Sequence, residues 1–219
     1  MLALPLISGG KDSLYAMYLA MQQGFEINRI LTVIPEDKYS YMYHTPNLSI
    51  TEMQAQAMGL KCIKIMGEKD DELLSLKKFL EDAYEDFVIV GAVASEYQFY
   101  RILFVCEEIG KKVYLPLWRK DPLKLLKNLV LEEFEVIIVS VAAEGLGKEF
   151  LGRKIDEETV KILEEKMERY GVNPIGEGGE FETCVLNAPI FRRKIKVKRA
   201  KIDWRGSHGY YIIENAELV

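Results

Sequence analysis

The sequence predicts an α/β protein: a parallel sheet with helices on both faces, followed by a small C-terminal α+β portion. Three observations predict it. Continuous apolar runs of strand length alternate with helix-period segments over residues 1–142, the pattern of strands buried on both faces. Beyond residue 142 strand-like stretches follow one another with only one helical segment among them. The length, 219 residues, suits one large domain or one domain with an appendage.

Leu2–Ile7 is apolar throughout and ends in Ser8-Gly9-Gly10, so it reads as a buried strand. A helix is expected from about Asp12, because Leu14, Met17, Tyr18 and Met21 fall on one face and Gly24 closes it. Ile27–Ile34 is a second buried strand, stopped by Pro35. Residues 36–47 carry no period and read as a loop, with Tyr39, Tyr41, Met42 and Tyr43 as either an aromatic lid or core residues. A helix over 49–58 leads to strand Leu60–Ile65, and a charged helix over 69–84 leads to strand Phe87–Val90. The helix over 96–109 places Phe99, Ile102, Leu103 and Cys106 on one face, and Val113–Leu115 follows as a short strand. Pro122–Leu131 is helical and Glu135–Val141 is a further buried strand. A helix over 156–169, a Gly/Glu-rich loop at 176–183 and strands near 184–186, 190–202 and 208–213 complete the chain.

Several function classes are excluded early. The longest apolar run, Val136–Ala143 with Ser140 inside it, is far short of the ~18 residues of a membrane span, and no basic region precedes Leu2–Ile7 to suggest a signal peptide. Cys62, Cys106 and Cys184 are odd in number and widely spaced, which argues against a disulfide framework and for a reducing cytoplasm. Burial is the expectation for all three. The net charge of −5 argues against a general nucleic-acid binder. It hides an asymmetry: residues 192–205 hold eight Lys and Arg against Asp203 alone, a local +7. Apolar Ile195, Val197 and Ile202 stand among these cations, and the period-2 alternation breaks at Arg199-Ala200, where a bulge is expected. This strand is read as a docking surface for a protein partner, or else as a lysine-protected edge.

The chemistry concentrates in Ser8-Gly9-Gly10-Lys11-Asp12-Ser13, between the first strand and the first helix. Glycines let backbone N–H groups approach an anion, the helix N-terminus adds partial positive charge, and Lys11 adds a full one. Carboxyl ends of parallel strands are where such sheets bind ligands. The spacing is not that of a Walker A loop, since Asp12 separates Lys11 from Ser13. Asp12 is either a magnesium ligand or a helix cap.

These six residues resemble the SGGxDS loop of the PP-loop ATP pyrophosphatases, with their adenine nucleotide alpha-hydrolase-like fold, whose first loop grips the terminal phosphates of ATP. Further stretches resemble diphthine–ammonia ligases: Gly91-Ala92-Val93-Ala94-Ser95-Glu96-Tyr97-Gln98 with Arg101, Pro116-Leu117-Trp118, His44 with Asn47, and Glu177-Gly178-Gly179-Glu180-Phe181-Glu182-Thr183. The resemblance implies an ATP-binding domain over 1–142 and an acceptor-substrate domain over 143–219. It implies amidation of diphthine, a modified histidine on elongation factor two, with ammonium. ATP, accompanied by magnesium, would be cleaved to AMP and pyrophosphate through an adenylated carboxylate.

By the same resemblance Ser8, Gly9, Gly10, Lys11, Asp12, Ser13, His44, Gly91 and Ser95 would contact the nucleotide. Tyr97, Gln98, Arg101, Glu177, Gly178, Gly179, Glu180 and Thr183 would contact the acceptor, with Lys11, Asp12, Glu180 and Glu182 in catalytic roles. The carboxylates of the acidic loop are left open among magnesium, ammonium and the trimethylammonium group of diphthine, or simple solvation. Arg101 has a structural ion pair as its alternative, and His44 a plain surface position. A tRNA-adenylating enzyme and a non-catalytic nucleotide sensor are the competing functions, and a homodimer is left open. No membrane and no direct nucleic-acid partner are expected.

Overall fold

The computed structural model describes residues 1–35, 47, 50–68 and 72–219. His44 and the aromatic cluster Tyr39, Tyr41, Met42 and Tyr43 lie outside the described residues. The chain divides into two compact units, Met1–Trp118 and Arg119–Val219.

In the first unit, strands β1 (Ala3–Pro5), β2 (Arg29–Ile34), β3 (Lys61–Met66), β4 (Phe87–Ile89) and β5 (Lys112–Tyr114) alternate with helices α1 (Lys11–Gln22), α2 (Ile50–Met58), α3 (Glu72–Asp82) and α4 (Glu96–Glu108). All the strand pairs are parallel: β1 with β4, β4 with β5, and β2 with β3. A parallel bridge from Leu6 to Leu31, with the Ile7 N–H donating to the Leu31 carbonyl at 2.8 Å, lays β2 beside β1. The resulting order 3-2-1-4-5 reverses direction between β1 and β4. This is the parallel sheet flanked by helices that the alternation predicts.

Its core joins strand residues Leu4, Leu31 and Val88 to Leu76, Leu80 and Cys106 of α3 and α4. At the opposite end of the strands from the glycine loop, Arg29 donates two hydrogen bonds to Glu85, at 2.7 and 2.9 Å. Burial alone would push the Glu85 carboxyl up. The hydrogen bonds and charge of Arg29, with a backbone hydrogen bond and the charge of Lys111, more than offset it and hold the carboxyl below its usual range.

The second unit contains α5 (Pro122–Leu131), β6 (Glu135–Val141), a 3-10 turn at Lys148–Phe150, α6 (Glu157–Tyr170), β7 (Phe181–Asn187), β8 (Ile195–Trp204) and β9 (Gly209–Leu218). Asp121 and Asp156 cap α5 and α6 by accepting from the Lys124 and Thr159 N–H groups. Gly171, at φ 68°, ends α6 in the left-handed region that favours glycine. The four strands form an antiparallel sheet in the order β7-β6-β9-β8.

The compact units divide earlier in the chain than the boundary expected after residue 142. The division falls between Trp118 and Arg119, and both α5 and β6 belong to the second unit. The apolar run of β6 reflects its central position between β7 and β9, where burial on both faces does not require a parallel sheet. The register of β8 against β9 shifts on either side of Arg199, where the alternation breaks.

Candidate functional site

The first candidate site follows from the strand order. Where the order reverses, the loops after the two flanking strands diverge and leave a crevice at their carboxyl ends. The loops in question are Ser8–Gly10 after β1 and Val90–Ser95 after β4. Gly9 has φ +91°, and its carbonyl accepts a 2.9 Å hydrogen bond from the Gln54 amide of α2, which fixes the orientation of that peptide. The Ser13 hydroxyl donates to the Gly10 carbonyl at 3.1 Å and accepts from the Ser8 N–H at 3.3 Å, so the loop is closed by its own serines.

Helix α1 starts at Lys11 with Gly10 as its cap residue, and Gly10 offers no side-chain acceptor. Asp12 therefore does not cap the helix. It stands in the first turn and accepts from the Lys11 ammonium at 2.9 Å. Lys11 is only 2% exposed, and a lysine is buried this deeply only with a partner for its charge. Asp12 supplies such a partner. An uncapped helix N-terminus with a buried cation is equally the composition of an anion site.

Gly91 connects the two loops. A Cβ there would lie 2.6 Å from the Asp12 carbonyl carbon and from the Ser13 nitrogen, both backbone atoms. Only glycine lets the loop after β4 pack directly on the first turn of α1. Ser95 caps α4 by accepting from the Gln98 N–H at 3.3 Å, so its hydroxyl has a structural task. Tyr97 is exposed and the Arg101 guanidinium lies 5.1 Å from its ring centroid, a cation–π contact on the outer face of α4. Phe99 stacks on Trp118 at 4.3 Å between centroids, which ties the Pro116-Leu117-Trp118 stretch to α4.

The second candidate site lies at one end of the antiparallel sheet. Val141 pairs with Phe181 and with Gly209, and Gly209 pairs with Trp204. Four strand ends therefore meet, and the connecting loops gather there: the acidic loop before β7, the loop 142–147 after β6, and the turn 205–208. The Ala142 N–H donates to the Glu180 carbonyl at 2.8 Å, joining the first two. Glu182 is in register with Ser140, and Ser140 with Tyr210, so the three align across β7, β6 and β9.

The Glu180 carboxylate accepts from the Gly178 N–H at 2.8 Å and from the Asn173 N–H at 3.2 Å. Both of its oxygens hold the loop in shape, a role that the acidic composition alone does not reveal. A Cβ on Gly178 would come 2.8 Å from the same carboxylate, and one on Gly176 would come 2.6 Å from the Phe181 carbonyl. The glycines of this block thus serve a tight turn around Glu180. Glu177 and Thr183 are partly buried and Gly179, at φ +84°, is exposed.

Burial pushes the Cys106 thiol up to about 11 and the Cys184 thiol up to about 12, so neither is a thiolate near neutral pH. Cys62 lies 3.9 Å from the Thr51 hydroxyl. Among the described residues no group of three His, Cys, Asp or Glu side chains is gathered to hold a metal ion, and no helix is long and apolar enough to cross a membrane.

On β8, Lys198 pairs with Glu217 and Arg199 with Glu214, so part of the cationic stretch is neutralised by β9. Lys194 pairs with Glu135 and Arg205 with Asp203. β8 is an edge strand of its sheet. Sequence reasoning does not find Gln54, Trp204 or His208. Gln54 leaves one signal, a polar residue in phase with the buried face of α2 beside Ile50, Ala57 and Met58.

Two family models match the chain, the diphthamide synthase N-terminal domain over residues 1–113 and the diphthamide synthase C-terminal domain over residues 121–219. A diphthine–ammonia ligase of Rattus norvegicus is 33% identical, over 88% of this chain and 81% of that protein. Those of Danio rerio and Homo sapiens are 34% and 30% identical, over 87% and 90% of this chain and 84% and 83% of those proteins. A solved structure described as a predicted subunit of tRNA methyltransferase from Methanocaldococcus jannaschii DSM covers 86% of this chain and 99% of that one. Its 18% identity and TM-score of 0.45 are too loose a likeness to carry an argument.

Proposed function

The chain belongs to the diphthamide synthase family, and from that premise we propose that it amidates diphthine on elongation factor two, consuming ATP and ammonium. The observation that supports this best is that the family match runs through both units, residues 1–113 and 121–219. A nucleotide sensor would need only the first. A sulfur-transferring tRNA enzyme would favour a cysteine pair or a C-x-x-C motif, whereas Cys62, Cys106 and Cys184 are far apart in the sequence and the last two are buried.

A carboxylate is a poor acyl donor at neutral pH. In the proposed reaction its oxygen attacks the α-phosphorus of ATP, the bond to the β-phosphate oxygen breaks, and pyrophosphate leaves. Ammonia, formed when ammonium gives up a proton, then attacks the activated carbonyl carbon. The carbon–oxygen bond to AMP breaks, the nitrogen loses a second proton, and the amide remains.

In this reading the Ser8–Ser13 loop and the start of α1 hold the departing pyrophosphate, and Lys11 neutralises its charge. Gly91 keeps the second loop close enough to share the nucleotide. The residues fit magnesium in its usual form, carried on phosphates with one or two carboxylates, and Asp12 is the carboxylate placed to reach it. The second unit receives the acceptor, with Glu182, aligned with Ser140 and Tyr210, on the face that meets it and Glu180 shaping the loop. The acceptor's role in translation places the reaction in the cytoplasm.

The test is to incubate the protein with ATP, ammonium and diphthine-bearing elongation factor, then to measure AMP, pyrophosphate and the mass of the modified histidine. Stoichiometric AMP with conversion of the carboxylate to the amide is expected. ADP with inorganic phosphate, or an unchanged histidine, would reject the reading.

A further inference from the structure

We propose that the cleft at the end of the second unit's sheet receives a quaternary trimethylammonium group. This rests on the diphthine reading and deepens it, by naming the part of the acceptor that the second unit holds. The cleft has a volume of about 650 Å³ and is lined by the loop 142–147, Trp204 and the turn 206–208.

A trimethylammonium group has no N–H to donate, so carboxylates cannot hold it by hydrogen bonds. Its outer surface is hydrocarbon, yet it carries a full positive charge. The environment that suits both properties is an aromatic face with apolar walls and a nearby carboxylate, and tryptophan is the best ring for it.

Trp204 is held for that task. A Cβ on Gly209 would lie 2.7 Å from Trp204 Cε3 and 2.7 Å from the Asp203 carbonyl, so the ring rests against bare backbone that only glycine allows. His208 stands edge-to-face with Tyr210, ring planes at 82° and centroids 6.4 Å apart, which fixes the second ring of the wall. Leu146 is buried and supplies an apolar surface, while Glu144 is exposed in the lining and supplies negative charge.

Two cations flank the lining in sequence, Lys148 and Arg205, and Arg205 gives two hydrogen bonds to Asp203 at 2.9 and 3.2 Å, so its charge is already compensated. The acidic loop stands at the same end of the sheet through the Ala142–Glu180 hydrogen bond, adding to the negative field. The volume leaves room for the rest of a modified side chain beyond its three methyl groups.

The experiment titrates the full chain with tetramethylammonium chloride, with sodium chloride and with neopentyl alcohol, the last a neutral group of similar shape. Tryptophan fluorescence reports binding, and Trp204→Phe and Trp204→Leu variants localise it. Saturable quenching by tetramethylammonium alone is expected, retained in part in Trp204→Phe and absent in Trp204→Leu. With diphthine-bearing acceptor, Trp204→Leu should raise the acceptor KM about 10-fold and Glu144→Gln about 3-fold, with the ATP KM unchanged.

If all three titrants behave alike and the acceptor KM of both variants stays at the wild-type value, the inference is overturned. Should Trp204→Leu fail to fold, Glu144→Gln and the three titrants still decide it. Saturable binding of tetramethylammonium by a protein that never amidates diphthine would reject the function and leave the cleft's assignment standing. Amidation without such binding would do the opposite.

Discussion

Residues 8–13 make most of the first unit's candidate site by themselves, with Gly91 and Gln54 brought to them. The second unit's cleft exists only because four strand ends meet, from Val141, Phe181, Trp204 and Gly209. The first is a backbone site: a helix N-terminus, two glycines and one buried cation. The second is a side-chain site, with an aromatic wall, a carboxylate lining and a loop tied around Glu180. A backbone site suits a ligand as uniform as a phosphate chain. A side-chain site suits an acceptor that must be told apart from others by shape and charge.

The contrast breaks most severely at Gly91. In Gly91→Ala the added carbon meets backbone at 2.6 Å, which no side-chain rotation relieves. A stability loss of ~1–3 kcal/mol is expected, together with at least a tenfold loss of ATP affinity, checked by thermal melts and calorimetry. Lys11→Ala should lower turnover on the order of 10²-fold, as removal of a charge-stabilising donor does. A single-turnover assay of pyrophosphate release measures it, and a wild-type rate would remove Lys11 from the mechanism.

The Arg29–Glu85 pair offers a control that belongs to neither site. Arg29→Ala leaves a buried carboxylate without its partner and should cost about 3 kcal/mol, seen as a lower urea midpoint with catalysis intact below it. The sign with pH follows from the lowered Glu85 value. The pair's contribution is present above the ordinary carboxylate pKa and is lost as pH falls through the lower folded value. Wild type should therefore lose stability on acidification by more than Arg29→Ala does.

Glu180→Gln sharpens the contrast from the other side. An amide nitrogen cannot accept from Gly178 or Asn173, so one of the two loop hydrogen bonds is lost, at a cost of ~1–3 kcal/mol. Amidation should fall about tenfold in an acceptor-dependent rate assay. The smallest effect is expected on the edge strand. Lys196→Glu with Lys201→Glu changes exposed cations of β8, and should lower kcat/KM for the protein acceptor a few-fold while flattening its salt dependence. An unmoved salt profile would make β8 a protected edge and nothing more.

How much of this the sequence reveals follows the same contrast. Ser8–Ser13 is legible because its chemistry is contiguous and its flanking strand and helix are strongly patterned. Helix α5 runs from Pro122 to Leu131, the span its sequence suggests, with Asp121 as its N-cap. The allegiance of β6 is not legible, since a buried strand reads the same in either kind of sheet. Nor is the cleft, because Glu144, Trp204 and His208 are brought together by pairing across three strands and carry no local pattern. Glu180 is half legible: its position in the acidic block is visible, but its use as a brace for the loop depends on Asn173.

The division of labour between the two units is tested most directly by calorimetric titration of ATP into the wild type, Gly91→Ala and Glu180→Gln. The account predicts an unchanged ATP Kd in Glu180→Gln and a Kd raised at least tenfold in Gly91→Ala. If ATP binding collapses in Glu180→Gln and survives in Gly91→Ala, the nucleotide belongs to the second unit and the account is wrong.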